Sequence, residues 1–158
     1  MMHMSLSRFR MVDITSKQPL HRSAIATGEI HLKPETIRKI KMGKVEKGDP
    51  LAVGEIAAIL AAKNTAQIIP LCHSIPLTSI STSANILKDS VEVTAEVKTT
   101  AGTGVEMEAL AAVSVYLLTI WDMTKQYEKD KAGQYPTTVI RNIRVRMKRK
   151  EKSIERGY

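Results

Sequence analysis

Apolar residues recur along this chain with two periods, and the switches between them mark out its elements. Residues 24–32 alternate, with Ala24, Ala26, Ile30 and Leu32 on one face, which predicts a strand. Pro34 and Glu35 then open a short predicted helix to about Met42. Asp49-Pro50 is a second helix start, with Asp as N-cap and Pro in the first turn. Val53, Ile56, Ala57, Leu60 and Ala61 follow at helical spacing, to about Lys63-Asn64. Pro70 and Pro76 bracket LCHSI as a constrained, non-helical link. Residues 77–87 and 91–98 predict two strands joined by a Lys88-Asp89-Ser90 hairpin. In the second, Val91, Val93, Ala95 and Val97 oppose Glu92, Thr94, Glu96 and Lys98. After Gly133 and Pro136, residues 138–148 alternate again, Ile143, Val145 and Met147 against Arg144, Arg146 and Lys148.

Between these strands lies GTGVEMEALAAVSVYLLTIWDMTK, residues 102–125. Glu106 and Glu108 enter it; Asp122 and Lys125 leave it. The apolar body from Ala109 to Trp121 is shorter than the roughly 20 residues that span a bilayer. It predicts a helix buried on nearly all sides, with ionisable groups at the margins of a core. There, burial and neighbouring charge tune pKa values.

The order is strand, helix, helix, strand, strand, helix, strand. With the first two helices merged as one crossover layer, this is the ferredoxin-like βαβ-βαβ order. The expected class is α+β, an antiparallel sheet with helices packed on one face. The 158 residues suit a single domain, with about 1–10 and 150–158 loosely ordered. No internal repeat or low-complexity segment interrupts it. Such a fold hosts many functions and names none.

Aromatics are only 4% of the chain, so Ile, Val, Leu, Ala and Met must fill the core. No apolar stretch near the N-terminus precedes a cleavage site, and no transmembrane span is expected. Cys72 is the only cysteine, which excludes an intrachain disulfide and fits a reducing cytoplasm. Net charge is +8, and +6 of it lies between Arg141 and Arg156. That points to a polyanionic partner such as nucleic acid, acidic lipid or a phosphorylated metabolite, or to a solvated tail.

Several groups carry candidate chemistry. Thr103-Gly-Val-Glu106 fits a capping box, which would give Glu106 a structural role beside a functional one. Glu108 enters a run about to be buried, so it needs a partner unless it stays an exposed first-turn acid. Asp122 and Lys125 share a helix face, as a surface ion pair or as a functional pair at the core margin. Glu108 and Asp122 are fourteen residues apart, roughly 21 Å along a helix axis. They cannot share one small site within a single straight helix. If both are catalytic, a second subunit must bring the two ends together. Adjacent Cys72 and His73 lack the spacing of a zinc site, so no metal is expected. His73 could act as an acid or phosphate ligand, or be satisfied by backbone groups. Lys47, before a capped helix, could meet an anionic phosphate or simply be solvated.

Taken together, MVDI at 11–14, KGD at 47–49, AAKNT at 61–65, IPLCHSIPL at 69–77, GTGVEMEAL at 102–110 and DMTK at 122–125 resemble the cyclic pyranopterin monophosphate synthase family. The resemblance implies an enzyme, a lyase of molybdenum cofactor biosynthesis. It would convert 3′,8-cyclo-7,8-dihydro-GTP to cyclic pyranopterin monophosphate and release diphosphate. It implies a ferredoxin-like fold, a homohexamer built as a trimer of dimers, sites at subunit interfaces, and no settled metal or cofactor requirement. By the same resemblance Asp122 and Lys125 are catalytic. Leu71, Cys72, His73, Met107 and Glu108 bind substrate, with Lys47, Glu106 and Arg22 at further pocket positions. Lys148 matches a C-terminal lysine, with Lys150 and Lys152 competing for that role. The family's Gly-rich KSGGKSG-like segment is replaced here by MKRKEKSIERG. Arg10 stands where a His often precedes MVDI, so no histidine role is carried over. On this reading Asp122 and Lys125 move protons, while Lys47, His73 and the basic strand hold phosphates.

The alternative is a nucleic-acid-binding ferredoxin-like module using the basic C-terminus. It needs stacking aromatics on strands, yet the single Phe is Phe9, outside any predicted strand, and the RNP-type pattern is missing.

Overall fold

A computed structural model describes residues 8–151. The elements are β1 (Leu20–His31), α1 (Pro34–Lys41), α2 (Pro50–Lys63), α3 (Thr65–Ile68), β2 (Ser79–Ile86), β3 (Ser90–Ala101), α4 (Glu106–Glu128) and β4 (Val139–Glu151). They form one antiparallel sheet in the order β2-β3-β1-β4, the ferredoxin-like arrangement expected from the element order. Only the short α3 was not foreseen. Of the ends expected to be loosely ordered, 1–7 and 152–158 lie outside the described residues, and β4 runs on to Glu151.

β1 and β3 are the central strands, paired over twelve residues from Leu20↔Ala101 to His31↔Ser90. Ala24, Ala26 and Ile30 on β1, and Val91, Val93, Ala95 and Val97 on β3, face the helices and are buried. α4 lies across them and buries Ala109, Ala112, Val113, Leu117 and Ile120. By length and composition alone α4 would qualify as a membrane span. Instead, ten of its residues are buried within this protein, as the core helix of the fold.

The N-terminus of α2 is capped as its sequence predicts: Asp49 accepts from Leu51 N at 2.9 Å and from Ala52 N at 3.3 Å. Its five residues at helical spacing do not share one fate. Ala61 is buried, but Val53, Ile56 and Leu60 are exposed. α2 turns Gly54, Ala58, Ala61 and Ala62 inward instead. The reason is Tyr116 of α4, whose ring fills the space beside Gly54. A Cβ there would fall 2.4 Å from the ring. The Tyr116 hydroxyl donates to Leu51 O at 2.8 Å, and burial pushes its pKa up to about 12. α2 is apolar all round, so its periodicity could not say which face was the inner one.

β4 departs from simple alternation. Its register against β1 slips between Ile25 and Ala26, and again between Thr27 and Glu29, each slip adding one residue on the β4 side. These are β-bulges, and Asn142 in the second has φ +59°. Ile140, Val145 and Lys148 consequently pair with the inward-facing Ile30, Ala26 and Ala24. The expected grouping of Met147 with Ile143 and Val145, against Lys148, is overturned. Met147 pairs with Ile25 on the open face, and Lys148 joins the helix side.

The far end of α4 is fastened by Glu128, which is fully buried. Its carboxyl accepts from Thr36 Oγ1, from Thr138 Oγ1 at 2.7 Å, and from Lys33 N at 3.1 Å. One side chain thus ties α4 to the start of α1 and to the segment entering β4. Glu128→Ala would leave these donors buried and unpaired, and should cost about 3 kcal/mol or more of stability in urea unfolding. A cost of only a few tenths of a kcal/mol would show that water replaces the carboxyl freely.

Candidate functional site

The residues singled out in the sequence gather at the two ends of α4. At its C-terminal end Asp122 stands between two lysines. Its Oδ1 accepts from Lys125 Nζ at 2.8 Å and its Oδ2 from Lys47 Nζ at 3.0 Å. Lys47 also donates to the Asp122 backbone oxygen at 3.0 Å. Lys125 reaches Asp122 because residues three apart share a helix face. Lys47 is delivered by the loop between α1 and α2. Asp122 is exposed, not set at a core margin, and all three side chains are open to solvent. The hydrogen bonds from Lys125 and then Lys47 hold the Asp122 carboxyl below its ordinary 3.8. The same bond raises Lys125 above 10.5. Two cations about one carboxylate leave a net positive cluster that can meet a phosphate.

The N-terminal end of α4 is organised differently. The helix begins at Glu106, and Val105 stands at the N-cap with no side-chain capping bond. The expected capping box is therefore absent. As the first helical residue Glu106 is not placed to reach back to Thr103. It takes Lys148 Nζ at 2.7 Å instead. Burial pushes the Glu106 carboxyl up, but Lys148 and a backbone hydrogen bond prevail and hold it below 4.5. Of the competing lysines, Lys148 makes this contact because it pairs with the inward-facing Ala24 and so lies on the helix side. Lys150 lines the adjacent cleft, and Lys152 lies outside the described residues. Arg22 on β1 donates to Ala101 O at 3.1 Å and Gly102 O at 3.2 Å, which clamps the turn before α4.

Leu71, Cys72 and His73 come from the Pro-bracketed link and meet this end of α4. With Val12, Ile14, Lys17, Ile69, Glu106, Met107 and Glu108 they line a cleft of about 420 Å³. His73 Nε2 lies 2.6 Å from Val12 O. A carbonyl only accepts, so this nitrogen carries the proton and leaves Nδ1 as the basic one in the neutral ring. His73 is thus satisfied by backbone, which secures the MVDI segment over the cleft. Glu108 is buried, only 4% exposed. The Cys72 thiol donates to its Oε1 at 3.8 Å, and its Oε2 has no partner among the described residues. Burial pushes the Glu108 carboxyl above 4.5. Burial and then the charge of Glu108 push the Cys72 thiol above 9.0, so it is a donor and not a thiolate nucleophile.

A second cleft, about 550 Å³, adjoins the first through Lys17, Thr103, Gly104 and Glu106, and adds Arg22, Lys148 and Lys150. The eleven residues singled out thus fall into two groups. Lys47, Asp122 and Lys125 form one; Arg22, Leu71, Cys72, His73, Glu106, Met107, Glu108 and Lys148 form the other. Within one chain α4 keeps the groups apart. Lys17 was missed, although it lines both clefts. Its only signal is its position three residues after MVDI, with no motif of its own.

A ferredoxin-like α+β sheet with acid–base groups gathered at both ends of its core helix defines the class of protein. The chain belongs to the MoaC family, whose model matches residues 11–151. It is 53% identical over 140 residues to a probable cyclic pyranopterin monophosphate synthase of Aeropyrum pernix, covering 89% of this chain and 96% of that one. A protein of the same name from Pyrococcus furiosus is 54% identical over 149 residues, 94% of this chain and 96% of its own. One from Methanosarcina acetivorans is 54% identical over 143 residues, 90% of each chain.

The raised carboxyl of Glu108 has a sign that can be checked. Folding favours its protonated form, so the folded chain binds more protons than the unfolded one above pH 4.5. The stability contribution of this group is therefore greatest in acid and is lost as pH rises through its folded value. Glu108→Gln should match wild type in urea unfolding at pH 4 and exceed it at pH 7.5. Equal differences at both pH values would contradict the shift.

Proposed function

We propose that this protein is a cyclic pyranopterin monophosphate synthase of molybdenum cofactor biosynthesis. It takes 3′,8-cyclo-7,8-dihydro-GTP to cyclic pyranopterin monophosphate and diphosphate. The observation that carries this reading is Asp122 held between Lys47 and Lys125, in a chain that matches its named relatives over most of its length. Cyclic phosphate formation requires a ribose-derived hydroxyl to attack the α-phosphorus. One P–O bond forms to that oxygen, and the bond from the α-phosphorus to the bridging oxygen breaks, its electron pair leaving with diphosphate. Asp122 accepts the hydroxyl proton, and Lys125 and Lys47 neutralise charge on the phosphates as it grows. The cleft group holds the ring: Leu71, Cys72, His73, Met107 and Glu108 line it, and Arg22, Glu106 and Lys148 border it.

The two groups work on one substrate when two copies of the chain meet. We propose a homohexamer, a trimer of dimers, with each site shared across an interface. The roughly 21 Å between Glu108 and Asp122 along α4 supports sharing. So do the exposed apolar Val53, Ile56 and Leu60 of α2, a stripe that one copy leaves facing water. No metal, organic cofactor or nucleic acid enters this reading. The single free thiol is in keeping with a cytoplasmic setting.

The test is to supply the cyclic intermediate and measure pterin product and diphosphate. Asp122→Asn should lower kcat by about a hundredfold or more. Normal turnover by that variant would sink the assignment. A shared site makes a sharper forecast for mixed subunits. Asp122→Asn and Glu108→Leu proteins, each inactive, should regain roughly a quarter of wild-type activity when unfolded together and reassembled at equal amounts. No recovery from a properly assembled mixture would show that each site lies within one chain.

A further inference from the structure

We propose that Tyr127 is a positioning residue for Lys47: its hydroxyl fixes the turn that carries this lysine against Asp122. This rests on the function proposed above, in which Lys47 meets the phosphates. In the loop between α1 and α2, Gly48 N donates to Val45 O at 3.1 Å and closes a tight turn. The central residues of that turn are Glu46 and Lys47. Gly48 completes it with φ +111°, a conformation that residues bearing a Cβ rarely adopt. Because Glu46 and Lys47 share one turn, whatever holds Glu46 also sets where Lys47 stands.

The last turn of α4 holds Glu46 by two bonds. The Tyr127 hydroxyl accepts from Glu46 N at 2.9 Å, and Gln126 Nε2 donates to Glu46 Oε2 at 3.0 Å. Tyr127 is the firmer anchor. Its ring packs against the core, and Lys39 of α1 lies over its face with Nζ 4.8 Å from the ring centroid. Gln126 is exposed, so water competes for its bond. Val45, at the first corner of the turn, is buried.

Lys47 needs this support because its own bonds are poor at holding a loop. Its ammonium donates to Asp122 Oδ2 and to Asp122 O, both at 3.0 Å, at an exposed site. An exposed ion pair contributes little, and a lysine gives up rotamer freedom to make it. Asp122 is also the group that takes a proton in the proposed reaction. Once protonated, it attracts Lys47 less. A loop held only through that pair would loosen as the phosphates come to need its charge. The bond from Glu46 N to the Tyr127 hydroxyl joins two uncharged groups, so it persists through the proton transfer. Lys125 needs no such help, since the helix itself sets it beside Asp122.

Tyr127→Phe removes the hydroxyl and keeps the ring, its packing and the Lys39 contact. Trace acetylation of the assembled protein with acetic anhydride, read by mass spectrometry, reports each lysine separately. Lys47 should become about 3- to 10-fold more reactive, the scale of one hydrogen bond, with Lys125 unchanged. Turnover of the cyclic intermediate should fall by a similar factor in kcat/KM. Unchanged reactivity of Lys47 overturns the proposal. So does an equal rise at both lysines, which would show a general loosening of the end of α4. Full turnover with Lys47 released overturns it as well, because the place of Lys47 would then not matter. A wild type that fails to convert the cyclic intermediate would refute the proposed function, and the labelling would still decide whether Tyr127 holds Lys47.

Discussion

Everything in this molecule is arranged around one long helix that must be buried along most of its length. α4 runs for 23 residues, roughly 34 Å, across the central strands. Val113, Leu117 and Ile120 lie fully inside, and burying each such side chain contributes about 1.5–3 kcal/mol. Gly28 on β1 lets the helix seat closely on the sheet, since a Cβ there would fall 2.9 Å from Leu117 and 3.0 Å from Val113. Because the apolar face is continuous, the helix cannot bend or break without exposing it. Whatever chemistry stands at one end is held at a fixed span from the other.

The two ends treat their buried acids in opposite ways. Glu128 is a fastener: its hydrogen bonds are met by three donors from two segments, and nothing is left over for a ligand. Glu108 is left short, with its thiol neighbour too weak to compensate. The same residue type, at similar depth, is fully partnered in one place and left with an unpartnered oxygen in the other. Depth alone does not decide which; the supply of donors does. The exposed cluster at Asp122 follows a third pattern. There, solvent screens each ion pair, so it adds little to stability. Its value lies in keeping a carboxylate ionised between two cations.

Most of the architecture was legible in the sequence, because period and punctuation agreed. Alternation in β1 and β3, the Asp49-Pro50 start and the apolar body of α4 each led to the observed element. The sheet order followed from element order. What failed did so for identifiable reasons. α2 is apolar on all sides, so its inner face was decided by Tyr116, a residue more than fifty positions away. The capping box at Thr103 did not form because α4 begins at Glu106 itself, which takes Lys148 of β4 instead. The candidate site was readable as a set of residues through linked short motifs, and the rise along α4 already parted Glu108 from Asp122, but Lys47 beside Asp122 was not readable. Contacts between distant segments leave no periodic trace, and Lys17 left none at all.

The bulges of β4 lead to a different kind of conclusion. Each acts like a single inserted letter that shifts the reading frame of faces, and the second insertion cancels the first. Ile140 at one end and Lys148 at the other are in frame; only the stretch between is displaced. Losing one insertion would throw one end of the strand out of frame, turning either Ile140 away from the core or Lys148 away from Glu106. Losing both would shorten the strand and leave each end correctly turned. Length changes in this strand are therefore tolerable in pairs and harmful singly, so its history should record compensated steps and not isolated ones.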